Sequence, residues 1–298
     1  MHITHIITRL VVGGAQENTV ATVLGLQGRL DLKVDLISGP TTGREGSMEP
    51  AFASWPQLLT IVPSLVRPVH PWKDALAWRK LTRLLRERRP DIVHTHSGKA
   101  GVLGRLAARR AQVPIIVHHI HGPSFGPFQG PLANWVFTMA ERYAAGATTH
   151  FVCSANAMTR RYLAAGIGRP EIYTRIFSGF RIEPFLQARS DSALRKKLGF
   201  APDAFVIGKI ARLAPLKGHE DLFCAAQCLL RDWPAARLLM VGDGPLRTQL
   251  EARARELGLE NVIQFTGLVP PGDVPKYLGI MDCLAHLSSR EALSRALQ

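Results

Sequence analysis

The sequence predicts an α/β protein made of two parallel-sheet domains, and three observations carry that prediction. The chain opens with an apolar strand pattern (His2 to Ile7), a glycine pair (Gly13-Gly14) and a helical pattern (Ala15 to Gln27). That order, strand then glycine turn then helix, is how parallel sheets are wound. The same order restarts late in the chain, with a strand at Phe205 to Ile210, a loop, and a helix at Glu220 to Arg231. At 298 residues the chain is also long enough for two domains, each with its own core. The expected boundaries are a first domain at 1–178, a connector at 179–203 and a second domain at 204–298.

Composition narrows the function classes. Hydrophobic content of 46% and charged content of 20% are ordinary for a globular protein. No apolar run approaches the roughly 18 to 20 residues of a membrane-spanning helix. The start, MHITHIITRL, lacks the basic-then-apolar order of a signal peptide. The expected location is the cytoplasm, with peripheral contact at the inner face of the cell membrane. The net charge of +14 is spread along the chain and is not gathered into a tail or an aromatic–basic module. Nucleic acid is therefore not expected as a partner, whereas anionic headgroups and phosphate-bearing substrates are. Cys224 and Cys228 lie one helical turn apart without zinc-site partners. With Cys153 and Cys283 they read as small buried thiols.

The elements of the first half follow in order. Gly13-Gly14 permits close backbone approach, but GxGxxG spacing is absent. The second strand, Leu32 to Ser38, ends without the acidic residue a ribose needs, which argues against a nicotinamide oxidoreductase. Residues 40–56 read as a mobile loop, and Leu58 to Val62 as a short strand. Trp72 to Arg89 is a basic helix with Leu76, Leu81, Leu84 and Leu85 expected on one apolar face. Its other face is cationic and suits an anionic membrane surface. The strand Asp91 to His96 carries His94 and His96. After a helix at Lys99 to Arg110, the strand Val113 to Ile120 ends in His118, His119, His121 and Gly122. Ligands of open α/β sheets sit beyond the C-terminal strand ends, so His96 and His121 fall where chemistry is expected. Their spacing is not that of a helical zinc pair, and no metal is expected. Pro123 to Pro131 is a loop able to cover a site. Helices at Leu132 to Ala145 and Asn156 to Ala165, with strands at His150 to Cys153 and Ile172 to Ile176, complete the domain. One short helix, Ser192 to Leu198, lies in the connector.

The loop of the second domain, GKIARLAPLKGHE, carries Arg212 and Lys217 ahead of Gly218 and a helix expected to start near Lys217. Two cations beside a helix N-terminus suit a diphosphate. A second glycine loop, Gly242-Asp243-Gly244, follows the strand Arg237 to Val241. A helix at Leu246 to Leu257, a strand at Val262 to Phe265, a helix at Val274 to Gly279 and a strand at Asp282 to Leu287 continue the pattern.

Together these segments resemble a known family. ARLAPLKGHE, VGDGPLR, FTGLV and HLSSREALSRAL, with GGAQ, VHTHSGKAGVLGRLAA and HIHG in the first half, look like the retaining nucleotide-sugar glycosyltransferases of family 4. The resemblance covers essentially the whole chain. It implies the GT-B fold: two Rossmann-like parallel-sheet domains facing a cleft, here with the second domain incomplete. It implies a hexosyltransferase-like enzyme of surface polysaccharide synthesis, moving a sugar from a UDP- or GDP-sugar donor to a glycan or lipid-linked acceptor. Arg212 and Lys217 are implied to hold the donor diphosphate. Gly13 and Gly14 let the first-domain loop approach it. His121 is implied to position the transferred sugar, and Glu291, the first glutamate of an E-x7-E motif, to contact the donor sugar. Gly242, Asp243 and Gly244 shape the nucleotide side, and His96 is set on the acceptor side. No cofactor and no metal are implied, because cations neutralise the leaving group. No carboxylate nucleophile stands out, which fits a front-face route.

The chain departs from the family pattern twice. The connector reads Ser178-Gly179-Phe180-Arg181 where Asn-Gly-x-Asp is usual. The second glutamate of E-x7-E falls one position past Gln298, so the chain is expected to be a fragment of a longer enzyme. A catalytically inactive remnant and a GT-B sugar-nucleotide epimerase are the alternative readings.

Overall fold

The computed structural model describes residues 1–43, 45–96, 98–179 and 182–298. The chain divides into two compact units. Unit 1 comprises Met1–Thr42, Ser47–Gly179 and Glu291–Arg295; unit 2 comprises Gly43–Gly46, Phe180–Arg290 and Ala296–Gln298.

Unit 1 alternates strand and helix: β1 (His2–Ile7), α1 (Gly14–Gln27), β2 (Lys33–Ser38), β3 (Leu59–Ile61), α2 (Pro71–Arg88), β4 (Ile92–His96), α3 (Gly98–Arg110), β5 (Ile115–Ile120), α4 (Pro131–Ala145), β6 (His150–Cys153), α5 (Asn156–Ala164) and β7 (Tyr173–Arg175). The seven strands form one parallel sheet in the order β3-β2-β1-β4-β5-β6-β7. The central strands read as apolar runs because helices cover both faces of such a sheet.

Helix α2 opens on Pro71, where a missing N–H costs nothing, and ends at Arg89 in the left-handed region (φ 48°). It buries Ala77, Leu81, Thr82, Leu84 and Leu85. Leu76, expected on that face, is 54% exposed. At 3.6 residues per turn it lies about 140° around the helix from Leu81, and Ala77 fills the inward position. Residues 40–56 are more built than a plain loop. A one-turn 3-10 helix at Glu49–Phe52 inserts Phe52 into the core beside Ile3, Ile7 and Leu10. Thr41 Oγ1 accepts from the Leu10 N–H at 3.0 Å, and Glu49 accepts from the Thr41 N–H at 3.1 Å.

Unit 2 contains α6 (Glu183–Leu186), α7 (Ser192–Lys197), β8 (Phe205–Ile210), α8 (His219–Asp232), β9 (Ala236–Val241), α9 (Arg247–Glu256), β10 (Ile263–Gly267), α10 (Val274–Gly279) and β11 (Cys283–Leu284). Its parallel sheet runs β10-β9-β8-β11. The region between the sheets thus holds two short helices where one was expected. The last strand is two residues long, and residues 285–298 form neither helix nor strand. Phe180 and Arg181 of the departing connector motif lie outside the described residues, as does Ser97 of VHTHSGKAG. Cys153 is buried, but Cys224, Cys228 and Cys283 are exposed, against expectation. Helix α8 turns His219, Leu222, Phe223 and Ala226 inward, which leaves Cys224 and Cys228 on its outer face.

A buried ion pair ties neighbouring helices of unit 1 together. Arg105 of α3 and Glu141 of α4 are 0% and 1% exposed and paired. Glu141 also accepts from Ser124 Oγ at 2.8 Å, and Ser124 shares a 2.8 Å hydrogen bond with Tyr162 of α5. Arg105 Nε donates to the Gly101 carbonyl at 2.8 Å. Removing one partner of such a pair strands the other charge. Glu141→Ala is expected to lower unfolding stability by about 3–5 kcal/mol, whereas Arg105→Met with Glu141→Leu restores much of it. Denaturant titration of the three proteins checks this.

Candidate active site

The winding of the first sheet reverses between β1 and β4, which puts the ligand-binding crevice of such a sheet at their C-terminal ends. Gly13 and Gly14 follow β1, and His96 ends β4. Gly13 is extended (φ 167°) and caps α1 through its carbonyl, which accepts from the Glu17 N–H at 2.9 Å. A Cβ on Gly14 would sit 2.8 Å from Cδ of Arg295, whose guanidinium pairs with Glu17 at 3.2 Å.

Strand register gathers more histidines here than the sequence had singled out. His5 lies opposite His94, Ile7 opposite His96, and His96 opposite His119. Side chains alternate between faces with period two. His5, His94, His96, His119 and His121 therefore share one face, while Thr95 and His118 point to the other. There Thr95 Oγ1 and His118 Nδ1 are 2.9 Å apart. Gly101 leaves room for that ring, since a Cβ would stand 2.4 Å from His118 Cε1.

The five imidazoles are ordered in a specific way. His5 Nδ1 and His96 Nε2 lie 2.9 Å apart, and His96 Nδ1 and His121 Nε2 lie 3.0 Å apart. These linked rings are tilted by only 13° and 26°. They form an edge-joined ribbon. His94 and His119 lie face-on against it, with centroids 4.3 Å from His96 and 3.9 Å from His121 respectively. Burial pushes the imidazoles down, His5 and His119 to about 4 and His94, His96 and His121 well below the usual histidine range. Among the described residues, nitrogens of His5, His94 and His96, and of His96, His119 and His121, fall within 4.8 Å of one another. Each group brings three ligand nitrogens within reach of one ion, and the same rings are hydrogen-bonded to one another.

In unit 2 the two expected loops are packed together by backbone. Leu213 N–H donates to the Asp243 carbonyl at 3.0 Å, and Leu246 N–H to the Leu213 carbonyl at 2.9 Å. Gly242 (φ 132°) could carry no Cβ, which would lie 2.2 Å from the Ala211 carbonyl oxygen; at Gly244 the corresponding distance to Leu213 is 2.5 Å. Asp243 braces this turn, accepting from the Gly244 N–H at 2.7 Å and facing Arg247 at 4.0 Å. Helix α8 starts at His219, between the expected starts near Lys217 and at Glu220, with Gly218 capping it in the left-handed region (φ 65°). His219 Nε2 donates to the Arg212 carbonyl at 3.1 Å and so fixes the loop from within. Burial pushes its pKa down to about 4. Arg212 Nη1 donates to Glu45 Oε1 at 2.9 Å, and residues 43–46 group with this unit. Lys217 is half-buried on the same loop. Glu220, in the first turn of α8, faces Arg253 at 3.3 Å. Glu291 lies in a segment that groups with unit 1.

In unit 1 His96 and His121 meet, and Gly13 and Gly14 follow the adjoining strand β1; in unit 2 the loop of Arg212 and Lys217 packs on the loop of Gly242, Asp243 and Gly244. Sequence reasoning passed over His5, His94, His119, His219 and Glu45. The signal for His94 and His119 was present: histidines at i and i+2 on a strand share a face, as in His94/His96 and His119/His121.

Two family models divide the chain between them. One, the glycosyl transferase 4-like domain, matches residues 13–175; the other, glycosyl transferases group 1, matches residues 190–298. The chain belongs to the glycosyl transferase 4-like family. This family member is 31% identical over 240 residues to the UDP-Gal:alpha-D-GlcNAc-diphosphoundecaprenol alpha-1,3-galactosyltransferase of Escherichia coli, covering 79% of this chain and 62% of that protein. It is 29% identical to the putative glycosyltransferase EpsD of Bacillus subtilis, over 78% of this chain and 61% of that one. The chain therefore spans about three fifths of the length of these curated relatives. The solved structure of Anabaena HepE in complex with UDP-glucose matches with a TM-score of 0.77 at 22% identity, over 100% of this chain and 77% of that one. The fold class is the expected one: α/β, GT-B, with two Rossmann-like parallel-sheet units.

The buried imidazoles of this glycosyl transferase 4-like chain make an acid-sensitivity prediction. His5 and His119 have folded pKa values near 4 against 6.5 for an exposed ring. Above about 6.5 both states are neutral and stability is full. Between 6.5 and 4 the unfolded chain binds protons that the folded chain refuses, so stability falls as pH drops. Denaturant midpoints are expected to fall over that window, with a slope of about 1.4 kcal/mol per pH unit for each proton taken up. His5→Phe is expected to flatten the slope.

Proposed function

We propose that this chain supplies the donor- and acceptor-binding machinery of a retaining glycosyltransferase. The enzyme moves a sugar from a UDP- or GDP-sugar to a glycan or lipid-linked acceptor in surface polysaccharide synthesis. The observation that carries this reading is the tandem match of both family models, with the Arg212–Lys217 loop on the second of them. The named activities of the Escherichia coli relative and the UDP-glucose complex of HepE support the donor and acceptor classes.

Within this reading the diphosphate exchanges one anionic partner of Arg212 for another. That guanidinium already holds the Glu45 carboxylate at 2.9 Å. Lys217 adds a second cation, and the N–H groups at the start of α8 add donors. Together they neutralise the leaving nucleoside diphosphate and take the place of a metal. Gly13 and Gly14 admit the phosphate to the first unit, His121 positions the sugar, His96 stands toward the acceptor, and Glu291 contacts the donor sugar.

Calorimetry tests the reading on the chain itself. UDP or GDP is expected to bind, and Lys217→Ala or Arg212→Ala to weaken binding about 10- to 100-fold, the range for a charge-assisted hydrogen bond. EDTA is expected to leave binding unchanged. Absence of nucleotide binding, or equal binding by both variants, would overturn it. Epimerised donor formed without acceptor would replace the transferase reading with an epimerase.

The cationic side of α2 is proposed to meet anionic lipid. Arg79, Arg83 and Arg86 are exposed along it, and Trp72 stands 79% exposed at its start. No helix among the described residues is long and apolar enough to cross a membrane. Cosedimentation with vesicles rich in phosphatidylglycerol is expected and is expected to be lost in the Arg79→Glu, Arg83→Glu, Arg86→Glu variant. Unchanged sedimentation would remove the proposal.

A further inference from the structure

The ribbon His5–His96–His121 has a property that no single residue of it has. Each link is one N–H···N hydrogen bond between neutral imidazoles, and a neutral imidazole carries one proton. If His5 donates from Nδ1, His96 accepts at Nε2 and must carry its own proton on Nδ1. His121 then accepts at Nε2 and carries its proton on Nδ1. If His5 instead accepts at Nδ1, the whole ribbon reverses and His121 Nδ1 becomes a bare lone pair. The three rings therefore hold one tautomeric state between them.

The buried end selects the state. His5 is 1% exposed, and its Nε2 is buried without a hydrogen-bond partner among the described residues. In the first state that orphan atom is a lone pair. In the second it is an N–H, and unpaired buried N–H groups are the rarer and costlier case. At the other end His121 is only partly buried, and among the described residues its hydrogen bond is the one to His96. We propose that His5 and His96 act as positioning residues that fix the tautomer of His121, so that its Nδ1 stands as an N–H donor toward a ligand oxygen. A sugar hydroxyl accepting a hydrogen bond is the matching group; this last step rests on the reading that His121 faces the transferred sugar.

The face-on rings fit this role. His94 and His119 stack on the ribbon and, among the described residues, make no hydrogen bond to it, so they offer it no competing partner. His119 Nε2 is turned instead to Ser154 Oγ at 3.5 Å.

Long-range nitrogen–proton NMR on the whole chain reads the tautomers directly. The expected result is an Nδ1–H tautomer at His5, His96 and His121. In His5→Phe, which keeps an aromatic ring but has no nitrogen, the Nδ1–H population of His121 is expected to fall. In His5→Asn it is expected to persist, because the amide can donate to His96 Nε2 from about the place of His5 Nδ1. An Nε2–H tautomer at His121 in the unaltered chain would overturn the proposal. So would a His121 tautomer indifferent to His5→Phe in a protein that still melts cooperatively. A second arm compares UDP-glucose with UDP by calorimetry. His121→Phe and His5→Phe are expected to lower the affinity for UDP-glucose relative to UDP by about 3- to 10-fold, one neutral hydrogen bond, and His5→Asn to leave it unchanged. If the NMR result holds while His121→Phe leaves that ratio alone, the ribbon stands and the sugar contact of His121 falls.

Discussion

The first unit depends on the register of three parallel strands. β1, β4 and β5 pair so that His5, His94, His96, His119 and His121 are stacked on one face at the end of the sheet. A one-residue slip of β4 would send His94 and His96 to the opposite face and bring Thr95 in their place. The register is held from the other side. Gly101 and Gly104 of α3 let that helix press against His118 and Thr95, where a Cβ would stand 2.4 and 2.8 Å from those side chains. Packing on one face of the sheet thus fixes the polar geometry on the other.

Burial then decides the chemistry of the histidines. Five exposed imidazoles would carry partial positive charge near neutral pH; five packed together and largely withdrawn from water do not. Desolvation is the first cause of each depressed pKa, and mutual repulsion adds to it for His5, His94, His96 and His121. What remains is a set of directed donors and acceptors without net charge. The second unit is the opposite case. Its loop keeps Arg212 and Lys217 at least partly exposed and braces the backbone beneath them through Gly218, His219, Gly242 and Gly244.

Much of this was legible in the sequence because the signals were local. Strand–turn–helix order placed nearly every element, and Gly242 and Gly244 could be read as turn residues from spacing alone. The misses share a cause: each depended on a contact distant in sequence. Leu76 was assigned inward by counting apolar residues, yet the stripe is set by what α3 and the sheet present to α2. Cys224 and Cys228 were taken as buried by residue type, although Leu222, Phe223 and Ala226 claim the inner face of α8. His5 carried no signal of its own; only pairing with β4 gives it neighbours.

The two units differ in electrostatic character: the first gathers neutral imidazoles at its sheet end, and the second carries fixed cations on a loop. A diphosphate needs compensation by fixed positive charge, and guanidinium and ammonium groups keep that charge at any physiological pH. A sugar hydroxyl needs direction more than charge, and a neutral imidazole with a fixed tautomer supplies direction. Had the histidines stayed protonated, they would have formed an anion-attracting centre at the end of the first sheet. Burying them removes that charge while keeping their hydrogen-bonding geometry. The cost is the acid lability that comes with every imidazole held neutral below its ordinary pKa. It is borne by the core of the first unit, so the same burial that makes the histidines useful also ties the fold to near-neutral conditions.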